Sequence, residues 1–484
     1  MNKAKVTIWV DEVKGRIDPD IYGHFAEHLG GCIYDGIWVG ENSEIPNEGG
    51  IRKDTAQAFK ELSPPILRWP GGCFADAYHF EDGIGPREKR PRRWNIWWEQ
   101  EESNQFGTDE FIRFCRMTGA KAYICLNVGS GSIEEALNWM EYCNSSADVH
   151  YANLRRQNGQ PEPYNVGYWS VGNENWGCGG PFDPEDYGKV YRRFVNYLRR
   201  ANPDVKFIAC GGGAEWNEGF FKGLGDRPYM VDYLSIHRYF HAGNDVDFSD
   251  SDYYDLMAQV KSLEDYIELT AKQIETFARG RKKIWIALDE WGVWHPQARV
   301  PNGLWQQNTL RDAIFAARVL NLLNLHCDKV GMANIAQTFN VLQCVAFTEG
   351  PKMCLTPTYW TFHMFKGHMG AELLRCETDS ALTFKVDGGD LPALDLSASR
   401  NKGEITLTLV NQHLTEDVKV KVALIGARAN DCAMRVLTAE DPRAHNTFER
   451  PDVVRPMEGE FEVSDGEVTA LLPSKSVVLL EIKT

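Results

Sequence analysis

Eight short apolar strands alternating with amphipathic helices predict an α/β chain built on a (β/α)8 TIM barrel. A switch to period-two alternation after about residue 371 adds a C-terminal antiparallel β-sandwich. No GxGxxG turn follows the first strand, which argues against an open dinucleotide-binding sheet.

The candidate barrel strands are Ile21–Phe25, Ile66–Trp69, Ala122–Leu126, Gly167–Gly172, Phe207–Cys210, Tyr233–Ile236, Ile284–Leu288 and Val330–Ala333. Between them the 3.6-residue period predicts helices such as Thr108–Thr118, Ile133–Cys143, Pro184–Ala201, Asp252–Arg279 and Gln306–Leu325. The run Gly211-Gly212-Gly213 lacks a phosphate-binding fingerprint and is read as a tight turn. Beyond the barrel, Ala381–Val386, Glu404–Val410, Asp417–Leu424, Met434–Thr438 and Val468–Ile482 alternate apolar and polar residues, with turns at Asp387-Gly388-Gly389 and Arg400-Asn401-Lys402-Gly403. Residues 1–16 also read as a strand that joins this sandwich, so the expected division is 1–16, a barrel over 17–374, and a sandwich over 375–484.

The bulk properties bound the function. The chain has 484 residues, 43% of them hydrophobic, and a net charge of −16. So acidic a balance offers no broad phosphate-binding face, so no nucleic acid is expected, and it weakens binding to anionic membranes. No run of about 18 apolar residues is present, so no membrane span is expected. The N-terminal segment turns acidic at Asp11-Glu12, which argues against a secretory signal. Twelve cysteines without a CxxC pair read as reduced, buried thiols of a cytoplasmic protein, neither a disulfide framework nor a zinc site.

Two segments carry the chemistry. Tyr168-Trp169-Ser170-Val171-Gly172-Asn173-Glu174 and Ile284-Trp285-Ile286-Ala287-Leu288-Asp289-Glu290 each run a short strand into a glutamate. They are the fourth and seventh candidate strands, whose C-terminal ends face each other across the barrel mouth. Paired carboxylates there suit glycoside hydrolysis, with Glu290 as nucleophile and Glu174 as acid/base. The expected separation is about 5–5.5 Å, the retaining geometry. Asn173 is placed to hydrogen-bond a sugar 2-hydroxyl. The carboxylates do the chemistry, so no metal or organic cofactor is expected.

Arg68-Trp69-Pro70-Gly71-Gly72, Asp82-Gly83-Ile84-Gly85-Pro86 with Arg90-Pro91, Gly172-Asn173-Glu174 and Asp289-Glu290-Trp291 together resemble glycoside hydrolase family 51, mainly retaining α-L-arabinofuranosidases. The resemblance spans nearly the whole chain. It implies an exo-acting enzyme on arabinose-containing oligosaccharides of arabinoxylan or arabinan, and a homo-oligomer, with a hexamer as the expected state. It also implies sugar contacts from Glu27 and Gln337, and makes His237 and Tyr239 orient the nucleophile and shape the pocket. The chain departs from the pattern at Cys73, where many members carry Asn after Pro-Gly-Gly; Cys73 is expected to line the site.

Three rival readings share parts of this pattern. A β-xylosidase or endo-β-1,4-glucanase would use the same two carboxylates. A sugar-binding protein could keep the pocket without turnover. His24-Phe25-Ala26-Glu27-His28 fits the H-x-x-E-H zinc-protease pattern, which requires a helix. The loop from Phe74 to Gln100, with Tyr78, Trp94, Trp97 and Trp98, offers aromatic faces for leaving-group sugars or for packing on the barrel.

Overall fold

The computed structural model describes residues 2–484. Eight parallel strands close into a barrel. We number them β1 (Gly23–Phe25), β2 (Ile66–Trp69), β3 (Lys121–Leu126), β4 (Tyr168–Val171), β5 (Lys206–Cys210), β6 (Tyr233–Phe240), β7 (Trp285–Val293) and β8 (Val330–Ala336). Each pairs with its sequence neighbours, and β8 closes on β1 through Asn334–Gly23, Ile335–His24 and Ala336–Phe25. The first strand is shorter than the sequence predicts, because Pro19–Tyr22 forms a 3-10 turn capped by the Asp18 side chain. Pro19 fixes φ and lacks the N–H that a ladder needs.

Ile66, Tyr123, Ile208, Tyr233, Ala287 and Met332, from β2, β3, β5, β6, β7 and β8, fill the barrel interior. Such a packed plug leaves the C-terminal rim as the place for a cleft. A larger cluster packs the strands' outer faces against the surrounding helices. The predicted helix over 252–279 is two, Asp250–Ala258 and Val260–Ala278, separated at Gln259. The helix expected from Gln306 starts only at Leu310, because Gln306 and Asn308 spend their amides on Val293 and Leu342 carbonyls.

The remaining strands form one continuous ten-stranded sheet, not two separate ones. Asn2–Arg16 lies near its middle, parallel to Val418–Ile425 and antiparallel to Glu372–Thr378. The sheet curls so that Val6, Ile8, Leu407, Leu409, Val420, Val422, Leu480 and Ile482 meet in a second core. The predicted strand Val468–Ile482 is two, Glu467–Leu472 and Ser476–Lys483, because Pro473 interrupts the ladder. Helix Leu310–Leu325 joins sheet to barrel through polar contacts: Asn321 accepts from Ser397 and Thr408, both at 2.7 Å, and donates to Asp395 at 2.9 Å. No helix among the described residues is long and apolar enough to cross a membrane.

Candidate active site

Glu290 lies inside β7, where the register slips against both neighbours. Ser235 pairs with Ala287 but His237 with Glu290, and Leu288 pairs with Ala333 but Trp291 with Ile335. One extra residue therefore bulges from β7 between Leu288 and Trp291. A β-bulge re-aims side chains. Here it lets adjacent Asp289 and Glu290 reach the same buried cluster, which strict alternation would forbid.

Two strand-borne donors hold the Glu290 carboxylate. Arg68 Nη1 on β2 donates to Oε1 at 2.7 Å, and Tyr239 OH on β6 donates to Oε2 at 2.8 Å. Arg68 is only 1% exposed, stacks its guanidinium 4.6 Å above the Phe25 ring, and also donates to Asn173 Oδ1 at 2.6 Å. Gly72 lets the loop after β2 approach closely, since a Cβ there would stand 2.8 Å from Glu290 Oε1.

Asp289 lies beneath. Tyr123 OH donates to it at 2.7 Å, Ser235 Oγ at 2.5 Å, and His237 Nε2 lies 3.3 Å away. Burial would raise its pKa, but the Arg68 and His237 cations outweigh burial and hold the carboxyl well below the usual range. His237 is thus ringed by anions. Its Nδ1 lies 2.9 Å from Glu174 Oε1 and 3.6 Å from Glu290 Oε2. Burial alone would lower the imidazole, yet Glu290, Asp289 and Glu174 lift it to about 10. These carboxylates favour the protonated ring.

Glu174 follows β4 on a turn with φ of 42°, unusual for a residue with a side chain. Its backbone carbonyl accepts from Gly177 and Gly179 at 2.7 and 3.1 Å, which tightens the turn. Asp76 anchors this turn from below, accepting from the backbone N–H of Val128, Gly129 and Asn173 at 2.7–2.8 Å. Burial pushes the Asp76 carboxyl up to about 7, against the pull of those donors. One carboxylate oxygen of Glu174, one of Glu290 and a nitrogen of His237 lie within 4.8 Å of one another.

The other expected residues divide into contacts and supports. Glu27, at the end of β1, accepts from Phe74 N at 3.1 Å, Trp98 Nε1 at 3.0 Å and Gln337 Nε2 at 3.0 Å. Burial, helped by the Glu290 charge, pushes its carboxyl up to about 7. Gln337 follows a cis peptide from Ala336, and its Oε1 is buried without a protein partner. Asn173 is 2% exposed between Arg68 and the Glu174 turn. The H-x-x-E-H residues share no ligand geometry: His24 packs on Phe59 and Phe362, and His28 Nδ1 bonds Glu102 at 2.7 Å.

Cys73 overturns the all-thiol expectation. It forms a disulfide with Cys178, while ten cysteines remain free. The bond joins the loops after β2 and β4 across 105 residues, a pairing that chain spacing does not reveal. Cys178 Sγ lies 3.8 Å from Glu174 Oε2, so the disulfide lines the site beside Glu174.

Sequence reasoning left Arg68, Asp76, Asp289 and Asn95 without roles, and read Trp98 only as an aromatic face, not as the indole donor to Glu27. Asn95 donates to the His28 carbonyl at 2.8 Å and accepts from Trp97 and Trp98 N–H groups at 3.2 Å, which fixes the indole that reaches Glu27. Arg68 carried a readable signal, a charge inside an otherwise apolar barrel strand. The arginines of that loop find partners partly outside it: Arg87 and Arg90 pair with Glu110, Arg92 with Glu101, and Arg93 with Asp82.

Comparison with known proteins agrees over the whole chain. The family described as alpha-L-arabinofuranosidase 1 domain matches residues 58–265, and the alpha-L-arabinofuranosidase C-terminal domain matches 289–476. An intracellular exo-alpha-L-arabinofuranosidase of Bacteroides ovatus is 40% identical, covering 99% of this chain and 96% of that protein. The crystal structure of the GH51 arabinofuranosidase from Xanthomonas axonopodis pv. citri superposes with a TM-score of 0.95 at 35% identity, covering both chains fully. An arabinose complex of the Thermotoga maritima alpha-L-arabinofuranosidase gives 0.90 at 36%, again over both full chains. The chain belongs to the GH51 α-L-arabinofuranosidase family.

Proposed function

We propose that the protein is an exo-acting, retaining α-L-arabinofuranosidase that releases terminal arabinofuranose from arabinoxylan or arabinan oligosaccharides. The observation that carries this reading is the approach of the Glu174 and Glu290 carboxylates to within 4.8 Å, oxygen to oxygen. Inverting enzymes hold their carboxyl groups about 6.5–9.5 Å apart to admit a water between them.

In the first step Glu290 attacks the anomeric carbon while Glu174 protonates the departing glycosidic oxygen. The sugar is left covalently on Glu290. In the second step Glu174, now a carboxylate, takes a proton from water, which displaces Glu290 and regenerates both groups. Arg68 and Tyr239 hold the nucleophile so that no reorganisation is needed at attack. His237 lies between the two glutamates, within reach of both, and orients them. Glu27, Asn173 and the unpartnered Gln337 Oε1 serve the arabinose hydroxyls, and a protonated Glu27 can donate as well as accept. In this reading the catalytic unit is residues 17–374, braced by 1–16 and 375–484.

The family relationship supports a homo-oligomer, measurable by light scattering. The name of the Bacteroides ovatus relative supports a cytoplasmic location. A reducing compartment disfavours disulfides, so thiol titration of protein from cells quenched in acid, which freezes thiol exchange, is the test there: twelve reactive thiols on denaturation fit the cytoplasm, and ten fit an oxidising compartment.

The activity is tested on 4-nitrophenyl α-L-arabinofuranoside beside the β-xyloside and β-glucoside, with Glu290→Ala as control. Glu290-dependent preference for the arabinofuranoside supports the reading. Cleavage of the xyloside or glucoside instead would keep the two-carboxylate chemistry and replace the sugar.

A further inference from the structure

The Cys73–Cys178 pair has no part in the hydrolysis described so far, yet it places two sulfurs beside a carboxylate. Cys73 Sγ, Cys178 Sγ and a carboxylate oxygen of Glu174 lie within 4.8 Å of one another. We propose that, once the disulfide is reduced, these three residues bind a thiophilic divalent cation, Zn²⁺ or Cd²⁺, and that the bound cation silences the enzyme. The site itself goes beyond the arabinofuranosidase reading. Only the loss of activity rests on that reading, through Glu174 as acid.

The spacing suits such an ion. Zinc takes cysteine sulfur at about 2.3 Å and carboxylate oxygen at about 2.0–2.2 Å in a tetrahedron, which sets neighbouring donor atoms about 3.5–4 Å apart. Cys178 Sγ already lies 3.8 Å from Glu174 Oε2. The Cα atoms of the two cysteines stand 5.5 Å apart, so the parted sulfurs stay within reach of one ion. Two of the ligands are also held from behind. His237 Nδ1 lies 2.9 Å from Glu174 Oε1, which leaves Oε2 turned to the sulfurs. Asn173 Nδ2 lies 3.7 Å from Cys178 Sγ, where it supports a thiolate. Such outer hydrogen bonds orient metal ligands.

The donor set selects the ion. Two thiolates and one carboxylate suit soft or borderline cations, whereas Mg²⁺ and Ca²⁺ take oxygen donors. All three residues are partly exposed, so the ion has a way in. Of the ten free cysteines nine are buried. Among the described residues none of the ten belongs to a group of three such donors.

Reduction by a dithiol breaks the S–S bond, passes two electrons and two protons to the sulfurs, and leaves the dithiol as its own disulfide. The cation then replaces the two thiol protons, which go to solvent. It also claims Glu174 Oε2, the oxygen that serves the leaving group and then water. A reducing compartment thus opens the pair to metal, and an oxidising one masks it as the disulfide.

The test follows Cd²⁺, whose bonds to thiolate absorb in the ultraviolet, in the full-length protein. Wild type reduced with a phosphine and freed of it should bind one Cd²⁺ per chain with a thiolate charge-transfer band. Oxidised wild type should show no band and Cys178→Ser a much weaker one. Glu174→Gln should keep the band but bind about tenfold or more weakly. Zn²⁺ at saturation should lower kcat of the reduced wild type on methyl α-L-arabinofuranoside about 10²-fold or more, and EDTA should restore it; the oxidised enzyme should be insensitive. Comparing oxidised with reduced wild type stays decisive if a variant does not fold. An absent band in the reduced wild type, an equal band in the oxidised wild type or Cys178→Ser, unchanged affinity in Glu174→Gln, or full activity at saturating Zn²⁺ would overturn the proposal. A reduced, metal-free wild type inactive on every arabinofuranoside would instead remove the functional reading, while the band still tests the site.

Discussion

The two carboxylates proposed as nucleophile and acid, Glu290 and Glu174, bring oxygens within 4.8 Å of each other in unlike surroundings. The Glu290 side chain is 8% exposed and held by donors from β2 and β6. The Glu174 side chain is 20% exposed, stands on a loop turn of positive φ, and has a single hydrogen-bonding side chain, His237. Its other oxygen faces the Cys73–Cys178 disulfide, which donates no proton. The contrast matches the two roles. A nucleophile gains from being fixed at one attack angle, whereas an acid that must later act as base needs an oxygen left free for the leaving group and then for water.

The largest effect should come from breaking the fixed side. Glu290→Ala should lower kcat on every arabinofuranoside by roughly 10⁴-fold or more, with azide restoring turnover as the inverted glycosyl azide. Glu174→Ala should lose about 10²–10⁴-fold on substrates with poor leaving groups and much less on the nitrophenyl glycoside, where azide should yield a retained product. The opposite pattern of azide products would exchange the two roles.

Next comes the frame that holds Glu290. Arg68→Lys keeps the charge but loses the fork that reaches both Glu290 and Asn173. It should lower kcat by about 10²-fold with a smaller change in KM, whereas a purely structural defect would lower active-enzyme concentration and leave kcat per titrated site unchanged. Asp289→Asn removes one of the anions that keep His237 protonated. The alkaline limb of its pH–rate profile should therefore move to lower pH, while Ser235→Ala should move it less.

The pH dependence of stability follows from the same groups. His237 binds its proton more tightly folded, to about 10 against an ordinary 6.5. Its contribution is fully present below about 6.5 and lost as pH rises through 10. Glu27 and Asp76, raised to about 7, likewise hold protons more tightly when folded, so their contribution falls as pH climbs toward and through 7. Thermal melts should thus fall from mildly acid pH toward pH 10. Glu27→Gln should flatten the part near 7, and a wild-type melting temperature that rises over this range would contradict the assignment.

The smallest effect is expected from the disulfide beside Glu174. The Cys73→Ser, Cys178→Ser double variant should unfold about 2–4 kcal/mol more easily in urea and lose about 3- to 10-fold in kcat through a less fixed Glu174 turn. A dithiothreitol-treated wild type should match it.

How far the sequence reached follows the same division. The barrel was legible because each strand repeats one short apolar pattern, and Glu174 and Glu290 because each follows such a run, although β7 continues past Glu290 to Val293. Asp289 was not, because the β7 bulge breaks the alternation from which its direction would be read. The disulfide and the Asp76 clamp join residues 105 and 97 apart in the chain, contacts that only the closed barrel brings together. The ten-stranded curl escaped for a related reason: its central parallel pair joins residues 2–9 to 418–425, and no hairpin turn announces such a partner.

The most direct test of the account is to trap the intermediate. Glu174→Ala, mixed rapidly with a dinitrophenyl α-L-arabinofuranoside, should accumulate a glycosyl-enzyme because the second step lacks its base. Peptic digestion and mass spectrometry should then find one arabinosyl unit on the peptide containing Glu290. No adduct, together with a first product of inverted anomeric configuration by proton NMR, would contradict double displacement; an adduct on any other carboxylate would contradict Glu290 as the nucleophile.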